Sequence, residues 1–294
     1  MHRITRMLAA AVVGVGVSAS AAADSIIVGS KNFTEQLLLG EMTAQLLEAK
    51  GFEVDKRDGM GSQVVRDAQV NGQIDVYWEY TGTSLVTYNK ISDPMDAAAT
   101  YMKVKELDAA QGLTWLDPSN ANNTYALAVR ASDEKTDSLK TLSDLAASYN
   151  AGDHLAMAVN AEFPGRPDGL PGLEATYGFE TSRADRKSMD SGLTYQALNG
   201  DQVDIALVFA TDGRISAFNF RVLEDDQGFF PNYAIAPVVR TDTLEENPGL
   251  ADPLNALSSK LDDATMQRLN AEIDVDKKTI EEVASDFLSQ NGLI

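Results

Sequence analysis

From residue 25 onward, short apolar runs alternate with longer stretches in which apolar positions return every three or four residues. Ser25 to Gly29 is a compact run rich in β-branched residues and predicts a buried strand. Asn32-x-x-Glu35 offers a helix start, and Leu38, Met42, Leu46 and Ala49 mark one helical face that ends at Gly51. A second strand begins at Phe52-Glu53-Val54, and a short helix through Val64 and Ala68 stops at Asn71-Gly72. Ile74 to Trp78 predicts a third strand. A β-α-β-α-β order of this kind predicts a parallel α/β sheet with its chemistry at the strand C-terminal ends.

A second βα series follows. Strands are predicted at Tyr125 to Val129, Leu155 to Val159, Val203 to Phe209 and Ala234 to Val239, with a helix over 138–149. The tail reads as three helical stretches, 250–261, 264–273 and 278–288. No repeat and no long Pro/Gly/Ser linker divides the chain. Two α/β series without a flexible linker suggest two lobes joined by crossing strands, with the tail returning to the first.

The first residues follow another pattern. Arg3 and Arg6 precede an apolar run from Met7 to Val17, and Ala21-x-Ala23 supplies small residues before Asp24. Residues 1–23 therefore read as a secretory signal peptide, and the apolar run is shorter than the roughly 20 residues that span a bilayer. Export to a Gram-negative periplasm is the expected destination.

Composition narrows the chemistry. The 294 residues suit one large domain or two medium ones. There is no cysteine, which excludes disulfides, thiolate metal sites, a cysteine nucleophile and a lipoprotein anchor. The formal net charge of -20 opposes binding to nucleic acid or to an anionic membrane. His2 and His154 are the only histidines, so a histidine-based hydrolase is disfavoured. No cofactor or metal is implied.

Four segments after or before strand-like runs combine polar anchors with aromatic rings: 29–36 (GSKNFTEQ), 78–83 (WEYTGT), 122–125 (NNTY) and 229–234 (FFPNYA). Taken singly, each has a plainer reading as a solvated lysine, a turn or half-buried aromatic packing. Together with 168–179 (DGLPGLEATYGF) and 211–215 (TDGRI), and in this order, they resemble the substrate-binding proteins of osmoprotectant ABC importers. These are the ProX/OpuCC-like (OpuAC-type) binders of glycine betaine, choline, carnitine and related quaternary amines.

The resemblance implies an α/β, two-lobed periplasmic binding protein of type II, a Venus flytrap with two crossover strands. It sets lobe I at 24–126 plus 232–294 and lobe II at 127–231. It also implies a quaternary amine or betaine held between the lobes by a monomer that serves an ABC permease in the inner membrane, without catalysis. Carried onto this chain, Tyr80, Tyr125 and Tyr233 match cage tyrosines. Lys31, Thr83 and Arg166 match carboxylate-binding positions, and Asn123 a polar neighbour of the cage. Phe209 departs from the pattern, because better-known members carry a fourth tyrosine there. Phenylalanine keeps the π face and loses the hydroxyl.

Those residue types suit the task. A quaternary ammonium has no N–H to donate, so apolar contact and the negative face of aromatic rings hold it, at about 0.5–2 kcal/mol per ring. A ligand carboxylate needs a guanidinium fork, an ammonium and a hydroxyl. Two rival readings stay open. An amino acid or other small zwitterion would need an acceptor near the cage, for which Asp212 is the nameable candidate. A secreted enzyme acting on a small cationic metabolite would need a nucleophile or base, and the chain has no G-x-S-x-G elbow.

Overall fold

The computed structural model describes residues 25–93 and 95–294, so the expected signal peptide lies outside the described residues. A first sheet contains β1 (Ile26–Lys31), β2 (Val54–Met60), β3 (Val76–Tyr80) and β4 (Leu113–Trp115). A second contains β5 (Tyr125–Arg130), β6 (Met157–Val159), β7 (Arg186–Ser188), β8 (Ile205–Phe209) and β9 (Phe220–Val222). The chain then returns to the first sheet with β10 (Ile235–Arg240).

The two sheets follow one plan. Their orders are β2-β1-β3-β10-β4 and β7-β6-β8-β5-β9. In each, three strands run parallel and a fourth, the first strand met after the chain changes sheet, lies antiparallel beside them. The connections between sheets run side by side: Asn122 and Ala234 form an isolated antiparallel bridge. This is a two-lobed α/β architecture in which two adjacent crossing segments connect the sheets.

The helices α1 (Thr34–Ala49), α2 (Ser62–Val70) and α3 (Ala97–Ala109) belong to the first series. In the second series are α4 (Leu142–Asn150), α5 (Leu170–Tyr177), α6 (Ser191–Asn199) and α7 (Arg214–Ala217). The tail holds α8 (Thr241–Glu246), α9 (Ala251–Ser258), α10 (Asp263–Asp274) and α11 (Ile280–Gln290). Leu38, Leu39, Met42 and Leu46 of α1 are fully buried and meet Val283, Ala284, Phe287 and Leu288 of α11 in one apolar cluster. The tail thus packs on the helix that follows β1.

Several local readings change. Helix α1 starts at Thr34 with Phe33 at its N-cap and no side-chain cap, so Asn32 and Glu35 form no capping box. The helix expected over 138–149 starts at Leu142, because Thr141 and Asp144 make a true capping box there. Residues after Thr81-Gly82 do not turn back but wind into a π-helical turn, Thr83–Tyr88. Buried Asp108 braces that turn, accepting from Ser84 (2.9 Å), Asn89 (3.0 Å), Trp115 Nε1 (2.8 Å) and both terminal nitrogens of Arg66.

Candidate functional site

The strand plan brings the site residues to one edge. Lys31, Tyr80 and Phe209 are the last residues of β1, β3 and β8, whose C-terminal ends face the cleft. Strand β5 runs antiparallel, so its first residue, Tyr125, lies opposite Phe209. Strand β10 does the same in the first sheet, setting Ile235 opposite Tyr80 and Tyr233 just before it. Gly82 permits this approach: a Cβ there would meet the Asn232 carbonyl at 2.8 Å and the Tyr233 ring at 2.9 Å.

A cavity of about 260 Å³ opens at this edge, and all eight sequence-predicted site residues line it: Lys31, Tyr80, Thr83, Asn123, Tyr125, Arg166, Phe209 and Tyr233. The rings form a connected wall. Tyr125 lies 5.3 Å from Phe209 and 5.8 Å, edge-on, from Tyr233, centroid to centroid. Phe33 completes the wall, stacked on Phe209 at 5.3 Å and 8° and 6.1 Å from Tyr80. Sequence reasoning passed over Phe33. Its position two residues after Lys31, in the loop leaving β1, was the available signal.

Burial pushes the Tyr80 and Tyr233 phenols well up from the ordinary tyrosine range and Tyr125 up as well, and the carboxylates beside Tyr80 and Tyr233 push the same way. Tyr80 donates to Glu35 at 2.9 Å and Tyr233 to Asp168 at 2.6 Å. The hydroxyl of Tyr195 accepts the Phe209 N–H at 2.8 Å, fixing the end of β8.

The two cations at the cavity are paired. Lys31 Nζ donates to Glu79 at 2.5 Å and lies 4.9 Å from the Tyr80 centroid. Burial lowers the Lys31 pKa, while Glu79 opposes that shift. Arg166, read alternatively as a surface residue paired with Asp168, does pair with Asp168 but is buried. It donates through Nε (2.8 Å) and Nη2 (2.5 Å), and Nη2 also reaches Thr83 at 3.3 Å. Its Nη1, 3.6 Å from Glu162, makes no hydrogen bond among the described residues. One N–H edge of the guanidinium and the Thr83 hydroxyl are therefore available to an anion at one end of the cavity.

Contacts between the two sheets' residues enclose the site. Glu162 accepts from the Ser62 N–H (3.0 Å) and hydroxyl (2.8 Å), and Arg166 reaches Thr83. Asp212 is bound by Arg214 and does not line the cavity, so it is removed from a ligand there. Trp78 and Trp115 are buried, donating to Thr43 and Asp108, and His154 is exposed. Among the described residues no cluster of His, Asp or Glu suits a metal ion.

Known proteins share this arrangement. The profile of the family described as "Substrate binding domain of ABC-type glycine betaine transport system" matches residues 24–290. A glycine-betaine-binding protein of Pseudomonas aeruginosa is 43% identical, over 100% of this chain and 96% of that one. The glycine betaine-binding protein YehZ of Escherichia coli is 37% identical over 92% of each. The carnitine transport binding protein OpuCC of Listeria monocytogenes is 33% identical, over 92% of this chain and 87% of its own. A solved structure described as a glycine betaine/carnitine/choline ABC transporter superposes with a TM-score of 0.72 at 30% identity, over 92% of this chain and 99% of the other. A two-sheet α/β fold, an aromatic cluster beside the crossing segments and these likenesses agree: the chain belongs to the substrate-binding domains of ABC-type glycine betaine transport systems, as a binding protein of the betaine and carnitine type.

Proposed function

We propose that this chain is a periplasmic receptor that takes up a carboxylate-bearing quaternary amine between its lobes and delivers it, as a monomer, to an ABC permease in the inner membrane. One observation carries the reading: rings from both sheets and both crossing segments wall a single cavity that has a guanidinium and a hydroxyl at one end. Tyr80, Tyr125, Phe209 and Tyr233 would hold the trimethylammonium group, and Phe33 would back them. Four rings at about 0.5–2 kcal/mol each provide several kcal/mol toward the roughly 8 kcal/mol of a micromolar complex. Arg166 Nη1, Lys31 and Thr83 would receive the carboxylate, and Asn123 would border the cage.

Arg166 and Thr83 sit on opposite sides of the cleft, so a carboxylate bridging them favours closure by its differential affinity. The lobes of this reading are 24–126 plus 232–294 and 127–231. Choline, without a carboxylate, leaves the Arg166 edge unsatisfied and ranks below the betaines. The aromatic lining, with Asp212 already taken by Arg214, supports a quaternary over a primary amine. No catalytic step is part of this reading.

The test is isothermal titration of ligand-stripped protein with glycine betaine, proline betaine, carnitine and choline, with glutamine as control. One-to-one binding of betaines ahead of choline, and none of glutamine, is expected. Binding of glutamine, or of no quaternary amine, would overturn the ligand assignment.

A further inference from the structure

Glu35 plays no part in the ligand reading above, yet it is one of the most enclosed carboxylates in the molecule. It is 3% exposed and sits in the first turn of α1. Four side-chain donors converge on it from four separate parts of the chain. Oε1 accepts the Tyr80 hydroxyl (2.9 Å) and Asn123 Nδ2 (2.6 Å). Oε2 accepts the Thr211 hydroxyl (2.5 Å) and Asn270 Nδ2 (3.2 Å). No lysine, arginine or histidine forms an ion pair with it among the described residues.

The amide pair explains the chemistry. Both asparagines turn their NH₂ groups to Glu35, and their Oδ1 atoms have no hydrogen-bond partner. Turning either amide around would set its oxygen against the carboxylate, so the arrangement is one built to hold an acceptor. The helix start adds favourable N-terminal dipole there. Burial pushes the Glu35 carboxyl above the ordinary carboxylate range, and the four hydrogen bonds offset that shift only in part.

The location connects this group to the cage. A smaller cavity of about 170 Å³ adjoins the main one, and both are lined by Phe33, Asn123 and Phe209. Glu35 lines only the smaller one, whereas Lys31, Thr83 and Arg166 line only the main one. Lys31 and Arg166 thus sit at the main cavity, and Glu35 sits behind the aromatic wall in the smaller one, whose own cation, Arg214, is bound by Asp212.

Resting on the proposed function, we propose that Glu35 is a positioning residue of the cage, which fixes the Tyr80 ring through its hydroxyl and sets negative charge behind the wall that receives the ligand's quaternary nitrogen. A phenol that donates to a carboxylate gains electron density on its ring, which strengthens the attraction of a cation to the ring face. Phe209, without a hydroxyl, cannot be tuned in this way, so Tyr80 carries more of the effect in this chain. Because Asn123 lies just before β5 and Thr211 just after β8, the same carboxylate ties the cage to the crossing segment.

The experiment is a double-mutant cycle read by titration with glycine betaine on the full chain: wild type, Glu35→Gln, Tyr80→Phe and both together. Glu35→Gln is expected to weaken binding by roughly tenfold, Tyr80→Phe by a few fold, and the double variant no more than Glu35→Gln alone. The second readout is discrimination between glycine betaine and 3,3-dimethylbutanoate, its isostere without the positive charge. Glu35→Gln should narrow that preference, which a purely structural defect would leave intact. Additive losses in the cycle, or an unchanged preference, would overturn the inference.

Should Glu35→Gln fail to fold, Thr211→Val takes one donor from Oε2 without altering a residue of the main cavity. It should still weaken glycine betaine binding by roughly threefold, and unchanged affinity would overturn the inference. Absence of betaine binding by the wild type would instead overturn the proposed function, and this inference with it.

Discussion

Tyr233→Phe removes one oxygen and keeps the ring, and so separates what the hydroxyl does from what the ring does. The hydroxyl donates to Asp168 at 2.6 Å in a fully buried setting. A hydrogen bond to a charged group contributes about 1.5–3 kcal/mol. Asp168 keeps its two bonds from Arg166, so the remaining carboxylate is not orphaned. In domains of about 150–250 residues each kcal/mol moves the melting midpoint by about 2–4 °C, so the apo midpoint should fall by about 3–12 °C. Affinity for a quaternary amine should change by no more than about threefold, since the ring face is intact. Tyr233→Ala also removes the ring, costing a further factor of about 2–30 in affinity. Scanning calorimetry and titration of both variants read the two effects separately. A Tyr233→Phe variant that loses binding while its melting midpoint stays put would refute the reasoning, because the hydroxyl would then serve the ligand and not Asp168.

Phe33→Ala removes the ring stacked on Phe209 and should weaken betaine binding by about 2–10-fold, for an aromatic pair worth about 0.5–1.5 kcal/mol. Unchanged affinity by titration would remove Phe33 from the wall. For Glu162, burial pushes the pKa up, but the bonds from Ser62 and the charges of Lys31 and Arg166 outweigh it and hold it below the ordinary 4.5. Its contribution to stability is thus complete above that value and lost as the pH falls through the depressed one. Melting midpoints of wild type and Glu162→Gln should differ at neutral pH and converge on acidification, and a constant gap would count against the Ser62–Glu162 tie. Asp108→Asn leaves Arg66 buried without a charge partner and should cost about 3–5 kcal/mol in urea unfolding. A loss under about 1 kcal/mol would show that the brace of the π-helical turn is dispensable.

The long, strongly patterned elements were legible in the sequence. Helix α1 and strands β1, β3, β5, β8 and β10 bury most or all of their residues, the helix announced by its apolar periodicity and the strands by short apolar runs. The short strands were not. Strand β7 (RKS) is polar and largely exposed, and is a strand only because β6 offers it a parallel partner. Helix α3 carries little apolar periodicity, burying only Thr100, Val104 and Asp108. The candidate site was legible as a motif set, through Tyr80, Tyr125, Tyr233, Lys31 and Arg166. The acids behind them were not, because Glu35 reads as a cap and Asp168 as a loop partner until folding buries both. The π-helical turn has no sequence rule of its own and depends on Asp108, distant in sequence, to hold it.

The position of β10 has a consequence for how the chain acquires its shape. Val239 pairs with Val76 and Tyr80 faces Ile235, so the first sheet lacks an interior strand until the chain has been made almost to its end. Helix α11 covers α1 later still. The second sheet, by contrast, draws all of its strands from one continuous stretch, Tyr125 to Val222. Long-range pairings of the first kind form slowly, because a large loop must close before any contact rewards it. The second sheet therefore needs no strand from elsewhere in the chain, while the first must wait for β10.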